Sequence, residues 1–69
     1  MKTIKITVNG GETEIQDGLT IKGLLDSMEI KSKMLVVEKN LEIINKQDYE
    51  SSRISEGDRL EIVSFCGGG

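Results

Sequence analysis

Ile4-Lys5-Ile6-Thr7-Val8-Asn9-Gly10-Gly11-Glu12-Thr13-Glu14-Ile15-Gln16, followed after three residues by Thr20-Ile21-Lys22-Gly23-Leu24-Leu25-Asp26-Ser27-Met28, is the stretch that decides the fold. In its first part Ile4, Ile6 and Val8 alternate with Lys5 and Thr7, the period-two pattern of a strand with one buried face. Asn9-Gly10-Gly11 is a strong hairpin signal, and residues 12–16 return as a second strand carrying Ile15. The period then changes. Asp17-Gly18 is a turn, Thr20 is suited to cap a helix, and Ile21, Leu24, Leu25 and Met28 fall at i, i+3, i+4 and i+7. These four make one apolar stripe that needs a sheet to cover it. Gly23 inside the helix costs roughly 1 kcal/mol against alanine; it marks either a close helix–sheet approach or a tolerated substitution.

Outward from this core, Met34-Leu35-Val36-Val37-Glu38 reads as a third strand, nearly continuous in apolar residues. Lys39-Asn40 reads as a tight turn and Leu41-Glu42-Ile43-Ile44 as a short fourth strand. Residues 45–55 are irregular and polar, with Tyr49 and Ile54 as anchors. Glu56-Gly57-Asp58 is a turn, and Leu60-Glu61-Ile62-Val63-Ser64-Phe65 is the last strand. The order ββαββ, an irregular crossing, then β suits an α+β architecture, the β-grasp, in which a mixed sheet of four to five strands wraps one helix. The last strand is expected beside the first, in the middle of the sheet.

The expected core sets Ile21, Leu24, Leu25 and Met28 against Ile4, Ile6, Val36, Leu60 and Ile62. With Met34 and Val36 facing inward, Leu35, Val37, Val63 and Phe65 lie together on the far face. Contiguous apolar surface of that kind is a docking site in small proteins. A register shifted by one residue would bury members of this set instead.

Composition narrows the function. Sixty-nine residues with one cysteine and no histidine describe one small domain without an internal disulfide or a Cys/His metal site. Net charge −3 with 30% charged residues argues against non-specific nucleic-acid binding. No apolar run is long enough for a membrane span, and the alternating start is unlike a signal peptide, so a cytoplasmic location and a monomer are the expectation. No histidine base or phosphate loop is present, and Gly10-Gly11 precedes a strand instead of opening a helix. Paired acids such as Glu12 and Glu14 occupy solvent-facing strand positions.

That leaves Cys66-Gly67-Gly68-Gly69. A glycine tail packs nothing and carries a large ordering cost, so it is either a frayed end or a segment that threads a narrow channel. Residues 1–65 are accordingly read as the folded domain and residues 66–69 as a flexible tail. The carboxylate of Gly69 is the one group placed for chemistry, and it is a poor electrophile until another enzyme activates it. The chain is therefore expected to be a substrate or carrier and not an enzyme. Cys66 has no lysine or arginine in the six residues before it to lower its pKa, so it reads as a small hydrophobe at the strand exit.

Residues 34–44, Met-Leu-Val-Val-Glu-Lys-Asn-Leu-Glu-Ile-Ile, and the closing segment from Gly57-Asp58-Arg59 through Phe65-Cys66-Gly67-Gly68-Gly69 resemble the ThiS family of sulfur carriers in thiamine biosynthesis. The resemblance covers essentially the whole chain. It implies that Gly69 is the modified residue, first a glycyl adenylate and then a 1-thioglycine, and that Gly67 and Gly68 thread into the partner. It implies an E1-like adenylyltransferase, a cysteine-derived persulfide donor and thiazole synthase as partners. No cofactor is bound; ATP is consumed by the activating enzyme. Family members usually carry an aliphatic residue where Cys66 stands. The small subunit of molybdopterin synthase and ubiquitin-like protein modifiers share the fold and the glycine end, and they remain alternatives at this point.

Overall fold

The computed structural model describes residues 2–30 and 34–65. Its elements in chain order are β1 (Thr3–Val8), β2 (Gly11–Gln16), α1 (Ile21–Ser27), β3 (Leu35–Lys39), β4 (Glu42–Ile44), a 3-10 turn (Lys46–Asp48) and β5 (Arg59–Ser64). The five strands form one sheet in the order β2-β1-β5-β3-β4. Only β1 and β5 run parallel; the other neighbours are antiparallel. The last strand lies beside the first at the centre, and one helix covers the sheet: this is the β-grasp architecture expected from the sequence.

Local chemistry sets each connection. Val8 pairs with Gly11 across a two-residue turn. Asn9 (φ 50°) and Gly10 (φ 84°) are both left-handed, as the turn that matches strand twist requires. The second hairpin repeats this geometry with Asn40 (φ 52°) and Leu41 (φ 72°). The turn is thus Asn40-Leu41 and not Lys39-Asn40, and β4 begins at Glu42. Asparagine tolerates the left-handed region, and Asn40 is also fixed from outside. Its backbone N–H donates to the Arg59 carbonyl at 2.8 Å. Its side chain accepts from the Arg59 N–H at 3.0 Å and donates to the Asp58 carboxylate at 3.0 Å.

Thr20 caps α1, its hydroxyl accepting from the Gly23 N–H at 3.1 Å. A Cβ at position 23 would stand 2.7 Å from the Leu19 side chain, so the missing side chain makes room for Leu19, just before the cap. The close neighbour is this incoming residue and not the sheet. The helix ends in a Schellman closure: Glu29 N–H bonds to the Asp26 carbonyl and Ile30 N–H to the Leu25 carbonyl, with Glu29 at φ 57° in the position glycine usually fills. Met28 is the C-cap and is exposed, so it leaves the expected stripe.

The core comprises Ile4, Ile6, Ile15, Ile21, Leu24, Leu25, Val37, Tyr49, Ile54, Leu60 and Ile62. Tyr49 and Ile54 do anchor the irregular crossing. The expected phase of β3 is corrected. Val37 pairs with Ile62, and Leu35 with Ser64; directly opposed residues share a face. Val37 is therefore fully buried and Leu35 packs partly against the core, while Val36 pairs with Val63 on the far face. Four consecutive apolar residues carry no alternation, so the sequence did not set their phase, and a slip of one residue exchanges the faces.

Candidate functional site

The far face of the sheet is assembled from the outward residues of β5 and β3. Val63 stands opposite Val36. Beyond them the Phe65 N–H donates to the Met34 carbonyl at 2.8 Å, which carries the β3–β5 pairing to the last described residue. Ile43 on β4 pairs with Glu38 on the same face. Exposure is high for this company: Met34 61%, Ile43 68%, Val63 48% and Phe65 50%. Burying such side chains contributes about 1.5–3 kcal/mol each, so a face that leaves several in water is the candidate docking surface of this domain.

Of the residues expected here, Val63 and Phe65 lie on this face. Leu35 and Val37 do not, because β3 turns them toward the helix. In their place the structure brings Met34, Val36 and Ile43. Ile43 had a readable signal, since Ile43 and Ile44 are adjacent in a strand and must face opposite ways; Ile44 takes the inner side. Gly67, Gly68 and Gly69, which with Cys66 make up the expected tail, lie outside the described residues.

The face stands where β5 delivers the chain to residue 65, and β5 is a central strand. It pairs with β1 on one side and β3 on the other. Its exit is reinforced by Asn9, whose Oδ1 accepts from the Ile62 N–H at 2.7 Å and whose Nδ2 donates to the Ile62 carbonyl at 3.2 Å. A chain leaving this strand starts from a fixed point.

Other chemistry is sparse among the described residues. They hold no group of three or more metal-ligating side chains, and no described helix is long and apolar enough to cross a membrane. Their hydroxyls serve structure: Ser27 donates to the Leu24 carbonyl at 2.8 Å and Ser51 to the Asp48 carbonyl at 3.3 Å. The exposed Thr3 hydroxyl donates to the Glu14 carboxylate at 2.8 Å as a cross-strand pair. Burial raises the Tyr49 phenol above its usual range.

Both the sequence and the fold have counterparts among known proteins. The model of the ThiS family matches residues 4–69, a span that includes the glycine run. The chain is 38% identical over 65 residues to the sulfur carrier protein ThiS of Bacillus subtilis, covering 93% of this chain and 98% of that one. It is 39% identical over 66 residues to a thiazole synthase of Paramagnetospirillum magneticum, covering 96% of this chain but only 20% of that protein. A crystal structure of the thiamine biosynthesis protein ThiS from Geobacter metallireducens superposes with a TM-score of 0.82 at 26% identity, covering 96% of this chain and all of the other.

Proposed function

The chain belongs to the ThiS family, and we propose that Gly69 is the residue on which it bears sulfur for thiazole formation. Its match to a sulfur carrier over nearly the full length of both proteins assigns it to sulfur transfer in thiamine biosynthesis. The single observation that carries the finer reading is the reach of the family match through Gly67, Gly68 and Gly69.

The chemistry follows from what a carboxylate lacks. Its carbon is electron-rich and has no leaving group. An E1-like partner supplies one: a Gly69 carboxylate oxygen attacks the α-phosphorus of ATP, pyrophosphate departs, and a glycyl adenylate remains. The terminal sulfur of a cysteine-derived persulfide then attacks the carbonyl carbon and displaces AMP, giving an acyl disulfide. A thiol attacks the donor-side sulfur of that disulfide, the thiocarboxylate leaves, and the thiol and the donor cysteine end as a disulfide. The displacement of AMP is nucleophilic substitution at an activated acyl group, with the partner providing the activation. Thiazole synthase receives the sulfur. The thiazole synthase of which one fifth resembles this chain supports that choice, since a carrier and its acceptor gain from being held together.

Within this scheme the described domain is a handle. Its outward apolar face, with Val63 and Phe65 beside the exit of β5, docks on the partner, and the glycines carry the carboxyl group into the partner's site without side chains to obstruct it. The test is growth without thiamine. A host lacking this chain requires the thiazole moiety, and supplying the full chain restores growth. A chain without Gly68 and Gly69 does not. Restoration by the shortened chain, or no requirement in the deleted host, overturns the proposal.

A further inference from the structure

On the far face, in the row next to Val36 and Val63, Glu38 and Glu61 stand directly opposite each other across β3 and β5. Side chains so placed have Cβ atoms about 4.5–5.5 Å apart, and like charges there are destabilising. No lysine or arginine among the described residues forms an ion pair or hydrogen bond with either carboxylate; the ion pair among these residues is Lys22 with Asp26 on the helix. Arg59, two residues before Glu61 on β5, flanks the pair on its other side, and Lys5 shares the face on β1, yet neither forms an ion pair with Glu38 or Glu61. The pair is also hemmed by apolar groups, with Val36 and Val63 on one side and Ile43 opposite Glu38. The fold thus keeps two carboxylates without a cation partner among the described residues at the edge of an exposed apolar surface, in a strand pair where one neutral residue would remove the repulsion.

We infer that this face docks on a protein surface that presents an arginine or lysine among apolar side chains, and that the cation fits between Glu38 and Glu61. Charge complementarity selects the occupant: a cation relieves the repulsion only while bound, and the surrounding apolar contacts withdraw it from water and salt. Paired carboxylates suit the fork of a guanidinium, which can bond to both. The arrangement steers encounter and fixes the register of docking, whereas the apolar residues supply contact. The inference rests on the carrier reading, which provides the partners, and adds the charge that they must carry.

The experiment measures binding of the full chain to purified thiazole synthase and to the E1-like activating enzyme at about 50 and about 500 mM NaCl, concentrations on either side of strong screening. The Glu38→Gln/Glu61→Gln chain is compared with Glu12→Gln/Glu14→Gln, which removes the same charge from β2. The first pair of changes is expected to weaken binding to at least one partner about tenfold at low salt and to flatten its salt dependence, and the second pair to do neither. The melting temperature of the Glu38/Glu61 variant is expected to stay level or rise. Unchanged binding with unchanged salt dependence overturns the inference and leaves the carrier reading standing. A fall in melting temperature also overturns it, since the carboxylates would then be held by a cation of this chain, with Arg59 the first candidate. If the unaltered chain binds neither protein, both the inference and the carrier reading fail.

Discussion

Asn9 and Ile62 exchange two hydrogen bonds, the asparagine amide standing in for the strand that β1 ceases to be at its turn. Direct pairing of β1 with β5 covers only Thr7 with Arg59 and Val8 with Leu60. The Asn9 side chain lengthens that short parallel ladder, and the same residue supplies the left-handed φ of 50° that the hairpin needs. One residue therefore closes the turn and secures the strand that leads to the glycines.

Asn9→Ala should cost about 2–4 kcal/mol, because it strands the Ile62 backbone groups and places alanine in a left-handed conformation. Asn9→Gly keeps the turn and removes only the bridge, so its loss should be about 1–2 kcal/mol. Urea unfolding of the two variants separates the effects. Equal stability of Asn9→Gly and the unaltered chain would mean that the bridge contributes nothing.

Val37 and Val36 are neighbours on opposite faces, and truncating each tests the phase of β3. Val37→Ala should cost about 1.5–3 kcal/mol, the burial value of a valine side chain. Val36→Ala, on the partly exposed face, should stay within roughly 1 kcal/mol. Thermal melts give the order directly, and the reverse order would restore the register first expected from the sequence.

Glu29 closes the helix in the left-handed region at φ 57°. Glu29→Gly should raise stability by about 0.5–1 kcal/mol, because the left-handed penalty of roughly 1–2 kcal/mol exceeds the entropy that glycine loses on folding. A denaturation midpoint that falls in this variant would contradict the Schellman closure.

The legible and illegible parts of this fold divide along physical lines. Ile4, Ile6 and Val8 alternate without interruption, Asn9-Gly10 allows one kind of turn, and Thr20 leads a helical stripe; each signal is local and each is realised in the structure. Met34 to Val37 present four apolar residues in a row, so their phase is set by pairing with β5 and not by their own pattern. Met28 fits the helical period but falls at the C-cap, where the helix has already turned away from the sheet. The same error moved two members of the candidate face, Leu35 and Val37, into the core side and concealed Met34, Val36 and Ile43. Leu41 resembles a strand residue by composition, yet Asn40 and its bonds to Asp58 and Arg59 draw it into the turn. Gly67, Gly68 and Gly69 lie outside the described residues, and their reading rests on their lack of side chains and on the family resemblance.

The central claim is that Gly69 becomes a thiocarboxylate, and intact mass spectrometry tests it most directly. The chain is incubated with ATP, the activating enzyme, a cysteine desulfurase and cysteine. Exchange of one carboxylate oxygen for sulfur at an activated acyl group predicts a gain of about 16 Da, located on Gly69 by fragmentation and absent when ATP is withheld. A full-length chain that never gains this mass, or a chain without Gly68 and Gly69 that gains it equally well, would contradict the account.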